Sequence, residues 1–230
     1  PGLPGNQVAL LKALKEKGCE VNAVILSGRP LTLTDAEPYC DSMLMAWHGG
    51  TLAAEAIAKI LLGEFNPTGR LTATFPRSVG QVPLSYNHRN TGRPVLGEGI
   101  TQFAEAYKSN YIDQTNEALY PFGFGLSYSK VSYSDLKLEK STVAKNDKVT
   151  ATVTLTNNSE LDCTETAQLY IRDLVAQTAR PVKELKAFER VNLKAGESRQ
   201  VSIDVHVDQL GYYGWDNEYR VDAGEFNLWV

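Results

Sequence analysis

Two apolar segments of the sequence end in residues that can bind a ligand. Residues 21–26 lead into Arg29, and residues 43–47 end in Trp47, which precedes His48. A guanidinium and an imidazole can hydrogen-bond hydroxyl groups, and an indole offers an apolar face to a flat ligand. Ligands of open α/β sheets bind beyond the carboxyl ends of the strands, so these three side chains are candidate substrate-binding residues at one sheet edge.

The same side chains also have structural interpretations. Trp47 can fill a core, Arg29 can bridge a domain interface, and His48 can cap a turn, because polar groups near strand ends commonly satisfy backbone groups. Both interpretations stay open on the sequence alone.

Residue spacing disfavours several other chemistries. Residues 49–51 lack the lysine of a phosphate-binding loop, so they predict a tight turn in which Thr51 caps the following helix. His48, His88 and His206 lie in different regions, with His206 on the polar face of an alternating strand. We therefore predict no metal ion and no cofactor.

The three cysteines are far apart and show neither a close pair nor the spacing of a zinc site. The sequence predicts buried free thiols at Cys19, Cys40 and Cys163 rather than a disulfide.

Composition limits the partners of the chain. Its 230 residues are enough for two modest domains, and 23 basic against 27 acidic residues give a net charge of −4 without a basic block. Nucleic acid and anionic membrane surfaces are therefore excluded as expected partners. No apolar run approaches the ~20 residues of a membrane helix.

The first part of the chain must position the candidate side chains. Helical periodicity covers residues 6–17, with Asn6 as cap and Gly18 as stop, and residues 52–61, closed by Gly63. The two apolar strands lie between these helices, an order that predicts a parallel α/β layer. Two strands are too few for a stable sheet, so we expect further strands upstream of Pro1.

The middle of the chain is rich in Pro, Gly, Asn and aromatic residues and has weak periodicity. Aromatic side chains gain about 2 kcal/mol each by burial, which predicts a connector packed over neighbouring surfaces rather than a disordered segment. The aromatic residues are Tyr86, Phe103, Tyr107, Tyr111, Tyr120, Phe122 and Phe124.

The last hundred residues alternate apolar and polar side chains with a period of two. The inward-facing set is expected to include Val153, Leu155, Leu169 and Ile203. Several short strands separated by turn signals predict an immunoglobulin or fibronectin type III-like β-sandwich. The alternation continues to Val230, so we expect the sandwich to be truncated, leaving an edge exposed.

Three stretches carry a family resemblance: residues 25–30, residues 47–71 and residues 119–128. In this order and at these separations, the chain resembles family 3 glycoside hydrolases of the periplasmic β-glucosidase type. The resemblance implies the later part of an α/β sandwich domain over residues 1–85. A connector would follow over 86–129, and a fibronectin type III-like domain, truncated at its end, over 130–230.

The resemblance also implies a retaining mechanism with a carboxylate nucleophile and a carboxylic acid that acts as acid and base. In the family the nucleophile belongs to a (β/α)8 barrel that precedes these domains, and the acid/base residue also lies upstream, so we predict no catalytic residue in this chain. The implied partners are a β-linked oligosaccharide or glycoside and the barrel of the same parent chain. A periplasmic or secreted location is implied as well, and a homodimer stays open.

The connector contains four carboxylates that could form a catalytic pair: Glu98, Glu105, Asp113 and Glu117. Retention requires two carboxyl groups about 5 Å apart, and nothing local sets that distance, so solvated loop charges are the expected outcome. Asp113, which follows Tyr111 and Ile112, is a candidate substrate-binding residue.

Two functions follow as hypotheses. The chain is the C-terminal portion of a β-glucosidase that hydrolyses terminal β-D-glucosyl residues; it braces the barrel, can line part of its cleft, and is inactive by itself. The alternative is a carbohydrate-binding or surface-interaction module without catalysis.

Overall fold

The computed structural model describes residues 2–94 and 107–230. The chain divides into two compact units. Unit 1 comprises Pro1–Phe65, Leu71–Ser85 and Pro94–Phe124, and unit 2 comprises Asn66–Arg70, Tyr86–Arg93 and Gly125–Val230.

Unit 1 contains a sheet of two parallel strands, as the sequence predicts. Strand β1 (Asn22–Ile25) pairs with β2 (Ser42–Met45), and Ala23 lies opposite Met43. Both strands are shorter than the apolar runs that predict them, although the N–H of Ala46, just after β2, still donates a hydrogen bond to the carbonyl of Ile25 at 2.9 Å.

Two helices flank this sheet in the sequence. Helix α1 (Gln7–Glu16) follows Asn6, helix α2 (Ala53–Leu61) follows Leu52, and no residue of either helix is buried. Gly18 and Gly63 have φ angles of 78° and 74°, which confirms both predicted helix stops, since glycine adopts this left-handed conformation without a steric penalty.

The predicted N-cap of α2 is wrong. Thr51 lies inside a 3-10 turn, Gly50–Leu52, that leads directly into the helix, so the capping position falls on Leu52. At the start of α1, Asn6 does occupy the cap position but makes no side-chain capping hydrogen bond.

The core of unit 1 gathers residues from distant parts of the chain. Its buried members are Ile25, Leu33, Phe75 and Leu119. The backbone of Phe75 accepts a hydrogen bond from the N–H of Leu119 at 2.9 Å and donates one to the carbonyl of Tyr120, also at 2.9 Å.

The predicted packing of the aromatic connector is confirmed for part of it. Tyr86, Tyr111, Tyr120 and Phe122 are half-buried, whereas Tyr107 and Phe124 are exposed. Phe103, which belongs to the same prediction, lies outside the described residues.

Unit 2 contains two three-stranded antiparallel sheets. The first has the order β3 (Val131–Leu138), β4 (Lys148–Asn157) and β7 (Ser198–His206). The second has β5 (Cys163–Asp173) at its centre, between β10 (Phe226–Trp229) and β6 (Glu184–Leu193). A short hairpin is formed by β8 (Tyr212–Tyr213) and β9 (Tyr219–Arg220).

The core of unit 2 confirms the period-two pattern. Val153, Leu155, Leu169 and Ile203 are all buried in one cluster to which both sheets contribute. His206 is exposed, as its place on the polar face of β7 predicts. Strand β10 lies at one edge of its sheet.

All three cysteines are free thiols, but only Cys163 is buried. The expectation of burial is wrong for Cys19, which lies in the exposed turn after α1, and Cys40 is half-buried. Within residues 2–94 and 107–230, no helix combines the length and the apolar composition that crossing a bilayer requires.

Candidate functional site

The carboxyl ends of β1 and β2 lie at the same edge of the sheet, as expected from their parallel pairing. A Cβ atom added to Gly28 would lie 2.8 Å from Nε2 of His48, so the residues that follow the two strands are in direct contact. Any side chain at Gly28 would displace the imidazole. The prediction that these two segments converge is therefore confirmed.

Arg29 is held by a local turn at this edge. Ser27 Oγ donates a hydrogen bond to the carbonyl of Arg29 at 2.9 Å and accepts one from its N–H at 3.3 Å. This arrangement satisfies the backbone of the turn with a neighbouring hydroxyl. Arg29 and His48 are both exposed, so each presents its polar group to solvent.

Trp47 has a different environment from its two neighbours. Its indole is half-buried and packs edge-on against Phe75, with ring centroids 5.9 Å apart. Its backbone has a φ of 51°, a conformation that bulky residues adopt only when their surroundings hold them. This packing favours the core-filling interpretation of Trp47 and leaves Arg29 and His48 as the polar groups of the edge.

Asp113 is exposed in the connector, and the adjacent Gln114 anchors the segment by donating a hydrogen bond to Ser78 Oγ at 2.8 Å. Gln81, which is buried, holds the same segment by donating to the carbonyls of Thr115 and Glu117, both at 3.1 Å. Glu98 and Glu105 lie outside the described residues.

Unit 2 contains a buried ionic network that the sequence analysis missed. Glu165 lies on the inner face of β5, and its Oε1 atom is 2.5 Å from Arg70 Nη2 and accepts a hydrogen bond from Tyr133 at 2.8 Å. Burial is the main cause that raises the pKa of the Tyr133 phenol, and the negative charge of Glu165 raises it further. Glu165 alternates along β5 with the same period as Ala167 and Leu169, so it lies on the same inward-facing side of the strand. A charged residue in this apolar alternation is the feature of the sequence that could have predicted the network.

Two of the motifs that carry the family resemblance meet at this network. Arg70 also donates to the carbonyl of Gly125. Asn66 donates to Ser129 Oγ at 2.9 Å and accepts a hydrogen bond from the N–H of Tyr128 at 2.8 Å. These residues of segments 66–70 and 125–129 therefore form structural contacts within unit 2.

No cluster of three or more His, Cys, Asp or Glu side chains in the described part of the chain could hold a metal ion.

Comparison with known families identifies the chain. The family described as "Glycosyl hydrolase family 3 C-terminal domain" matches residues 2–128, and the family described as "Fibronectin type III-like domain" matches residues 165–230. The chain belongs to glycosyl hydrolase family 3. The resemblance and the fold class predicted from the sequence, an α/β part followed by a fibronectin type III-like sandwich, are both confirmed.

Several members of family 3 are similar to the chain over nearly its whole length. It is 40% identical over 228 residues to the periplasmic beta-glucosidase of Salmonella typhimurium, covering 99% of this chain and 29% of that protein. A beta-xylosidase of Formosa agariphila is 37% identical, with 99% of this chain and 30% of that protein covered.

A solved structure shows the same fold. The beta-glucosidase from Listeria innocua in complex with glucose superimposes with a TM-score of 0.92 and 36% identity, covering 99% of this chain and 31% of that one. The chain therefore spans less than a third of the length of these relatives.

Proposed function

We propose that this chain is the C-terminal portion of a retaining β-glucosidase that hydrolyses terminal β-D-glucosyl residues of oligosaccharides. The supporting observation is the match of 99% of the chain, at a TM-score of 0.92, to a beta-glucosidase that binds glucose. The parent enzyme is a glycoside hydrolase located in the periplasm or secreted. Within this chain, residues 1–85 are the later part of the α/β sandwich domain, residues 86–129 are the connector, and residues 130–230 are the fibronectin type III-like domain.

The chemistry of this proposal requires two carboxyl groups from the region that precedes this chain in the relatives. One attacks the anomeric carbon while the other protonates the departing oxygen, and the second then removes a proton from the water that releases the sugar. This chain contributes no catalytic group, so it is inactive by itself. Its partners are the β-linked substrate and the (β/α)8 barrel of the parent.

The edge beyond β1 and β2 lines part of the substrate cleft in this proposal. Arg29 and His48 hydrogen-bond hydroxyl groups of the substrate or orient a carboxylate of the barrel, since both are exposed and the segments that carry them converge at this edge. Trp47 is held at this edge by its contact with Phe75, and the accessible part of its indole packs against the sugar. Asp113 contributes a further polar contact from the connector.

The test compares the 230-residue chain with an extended chain that includes the preceding region. We expect the extended chain to release 4-nitrophenol from the aryl β-D-glucoside, and the shorter chain to release none. Failure of the extended, folded chain to cleave this substrate would refute the proposal. A preference for the aryl β-D-xyloside would retain family 3 but reject the glucosidase assignment. Sedimentation of the extended chain tests whether it forms a homodimer.

The role of the edge is tested in the extended chain by Arg29→Ala and His48→Ala. Loss of a hydrogen bond to the substrate raises KM by about fivefold, because such a bond contributes roughly 1 kcal/mol. Arg199→Ala, at an exposed arginine of β7, is the matched control and leaves KM unchanged. Unchanged KM in both edge variants would show that these residues do not contact the substrate.

A further inference from the structure

The hairpin β8–β9, residues 212–220, exposes three aromatic side chains on a short segment of unit 2. Tyr213, Trp215 and Tyr219 are 63%, 83% and 52% exposed. We refer to this segment as the aromatic hairpin. Three large rings so exposed within seven residues are unusual, because each would gain free energy by leaving water.

Two of the rings are held in place by contacts within the unit. Tyr213 and Tyr219 pack edge to face, with centroids 5.4 Å apart and an interplanar angle of 68°. The Tyr219 hydroxyl donates to the carbonyl of Asp208 at 2.7 Å. A Cβ atom added to Gly211 would lie 2.5 Å from Tyr219 Cζ, so the ring rests directly on the backbone there.

The tip that carries Trp215 is also closed by hydrogen bonds. The N–H of Gly214 donates to the carbonyl of Glu218 at 3.0 Å, and the N–H of Asn217 donates to the carbonyl of Gly214 at 3.1 Å. Asn217 has a φ of 62°, which a tight turn requires and which asparagine tolerates. The aromatic hairpin is therefore a pre-organised surface, and a ligand would bind it with little loss of conformational entropy.

Charge and size decide which ligand fits. Asp208, Asp216 and Glu218 are exposed beside the rings, and Asp216 forms an ion pair with Arg220. These three carboxylates outnumber the arginine, which disfavours phosphates and anionic lipids. They can accept hydrogen bonds from hydroxyl groups, whereas the rings can pack against the apolar faces of pyranoses. A stable protein interface buries about 800 Å² on each partner, much more than three side chains provide.

We infer that the aromatic hairpin is a binding site for a neutral β-linked glucan chain. The choice of β-linked glucose as the ligand rests on the proposed function, whereas the site itself rests on the exposure, rigidity and acidic surroundings of the rings.

The test measures binding of the 230-residue chain to soluble laminarin and barley β-glucan by affinity electrophoresis and by tryptophan fluorescence. We expect retardation and a blue shift of the emission, because Trp215 is much more exposed than Trp47 or Trp229. Trp215→Ala weakens binding by about tenfold, as loss of an aromatic contact predicts, and Trp215→Phe retains most of it. Phe188→Ala, at an exposed ring of β6, is the matched control and binds normally.

Several outcomes would overturn the inference. These are the absence of glucan binding by the wild-type chain, equal binding by the Trp215→Ala and wild-type chains, and equal affinity for the α-linked glucan pullulan. The experiment needs no turnover and is separable from the test of the proposed function. Hydrolysis by the extended chain without glucan binding refutes only this inference, and glucan binding without hydrolysis refutes only the proposed function.

Discussion

At the scale of residues, the ion pair between Glu165 and Arg70 combines a charge with burial. Their side chains are 8% and 22% exposed, so removing the arginine leaves a carboxylate on the inner face of β5 without its cation. Breaking a buried ion pair costs about 3–5 kcal/mol, whereas exposed pairs contribute about 1 kcal/mol or less.

We therefore expect Arg70→Met to lower the free energy of unfolding by about 3–5 kcal/mol in urea titrations of the 230-residue chain. The control is Arg199→Met, which breaks an exposed pair with Glu197 and is expected to cost no more than about 1 kcal/mol. Replacing Glu165 by Met in the Arg70→Met background should recover part of the loss. Equal destabilisation by both arginine variants would contradict this account.

The environment of Asp173 makes the stability of the chain depend on pH. Burial raises the pKa of its carboxyl above the ordinary value of 3.8, although a hydrogen bond from the N–H of Val175 and the charge of Arg180 oppose the shift. The folded state then binds this proton more tightly than the unfolded chain does. The protonated carboxyl therefore contributes to the free energy of unfolding. This contribution is full at pH values below the ordinary pKa and is lost as the pH rises through the pKa of the folded state.

We expect the stability of Asp173→Asn relative to wild type to increase as the pH rises from about 4 toward neutrality, because the asparagine does not titrate. Urea unfolding of both proteins across this range gives the difference directly. Exposed carboxylates such as Asp204, whose pKa is lowered by Lys148, affect both proteins equally and cancel. A pH-independent difference would show that the Asp173 carboxyl has the same pKa in both states.

At the scale of elements, β5 holds one sheet of the sandwich together. It pairs with β10 on one side and with β6 on the other, and its inner residue Leu169 is completely buried. Strand β3, in contrast, is the edge of the other sheet, and Leu136 on it is exposed.

We expect Leu169→Ala to destabilise the chain by about 2–5 kcal/mol, since the substitution removes buried surface and leaves a cavity. Leu136→Ala deletes the same atoms from an exposed position, and its effect is expected to be within about 0.5 kcal/mol. Chemical denaturation of the two variants provides the comparison. Similar decreases in the free energy of unfolding for the two variants would contradict the assignment of Leu169 to the core and Leu136 to the surface.

At the scale of the whole molecule, the two units differ in how much core they contain. Among the described residues, the buried apolar cluster of unit 2 has thirteen members and that of unit 1 has four. Helices α1 and α2 contribute no buried residue, so little packing opposes their local opening.

Native-state hydrogen exchange should detect this difference. In the 230-residue chain we expect the amides of α1 and α2 to exchange at least about tenfold faster than those of β4 and β5. In the extended chain, the amides of the two helices should become slower while those of β5 remain unchanged. Equal protection of helices and strands in the shorter chain would contradict this expectation.

The sequence by itself determined the features that depend on local periodicity and turn chemistry. The alternation around Val153 and Leu169 located the sandwich strands, and Gly18 and Gly63 located the helix ends, because each signal is read within a few residues. The apolar runs before Arg29 and His48 placed both side chains at one edge, since parallel strands end on the same side of a sheet. The ordered motifs identified the family.

Only the tertiary structure decided features that join distant segments. Glu165 and Arg70 are 95 positions apart, and Trp47 packs on Phe75, so neither partner can be read from its own neighbourhood. Whether Tyr213, Trp215 and Tyr219 are buried or exposed also depends on what packs over the hairpin, because an aromatic residue can occupy either environment. Burial and pairing are properties of the assembled fold, and periodicity specifies only one side of each contact.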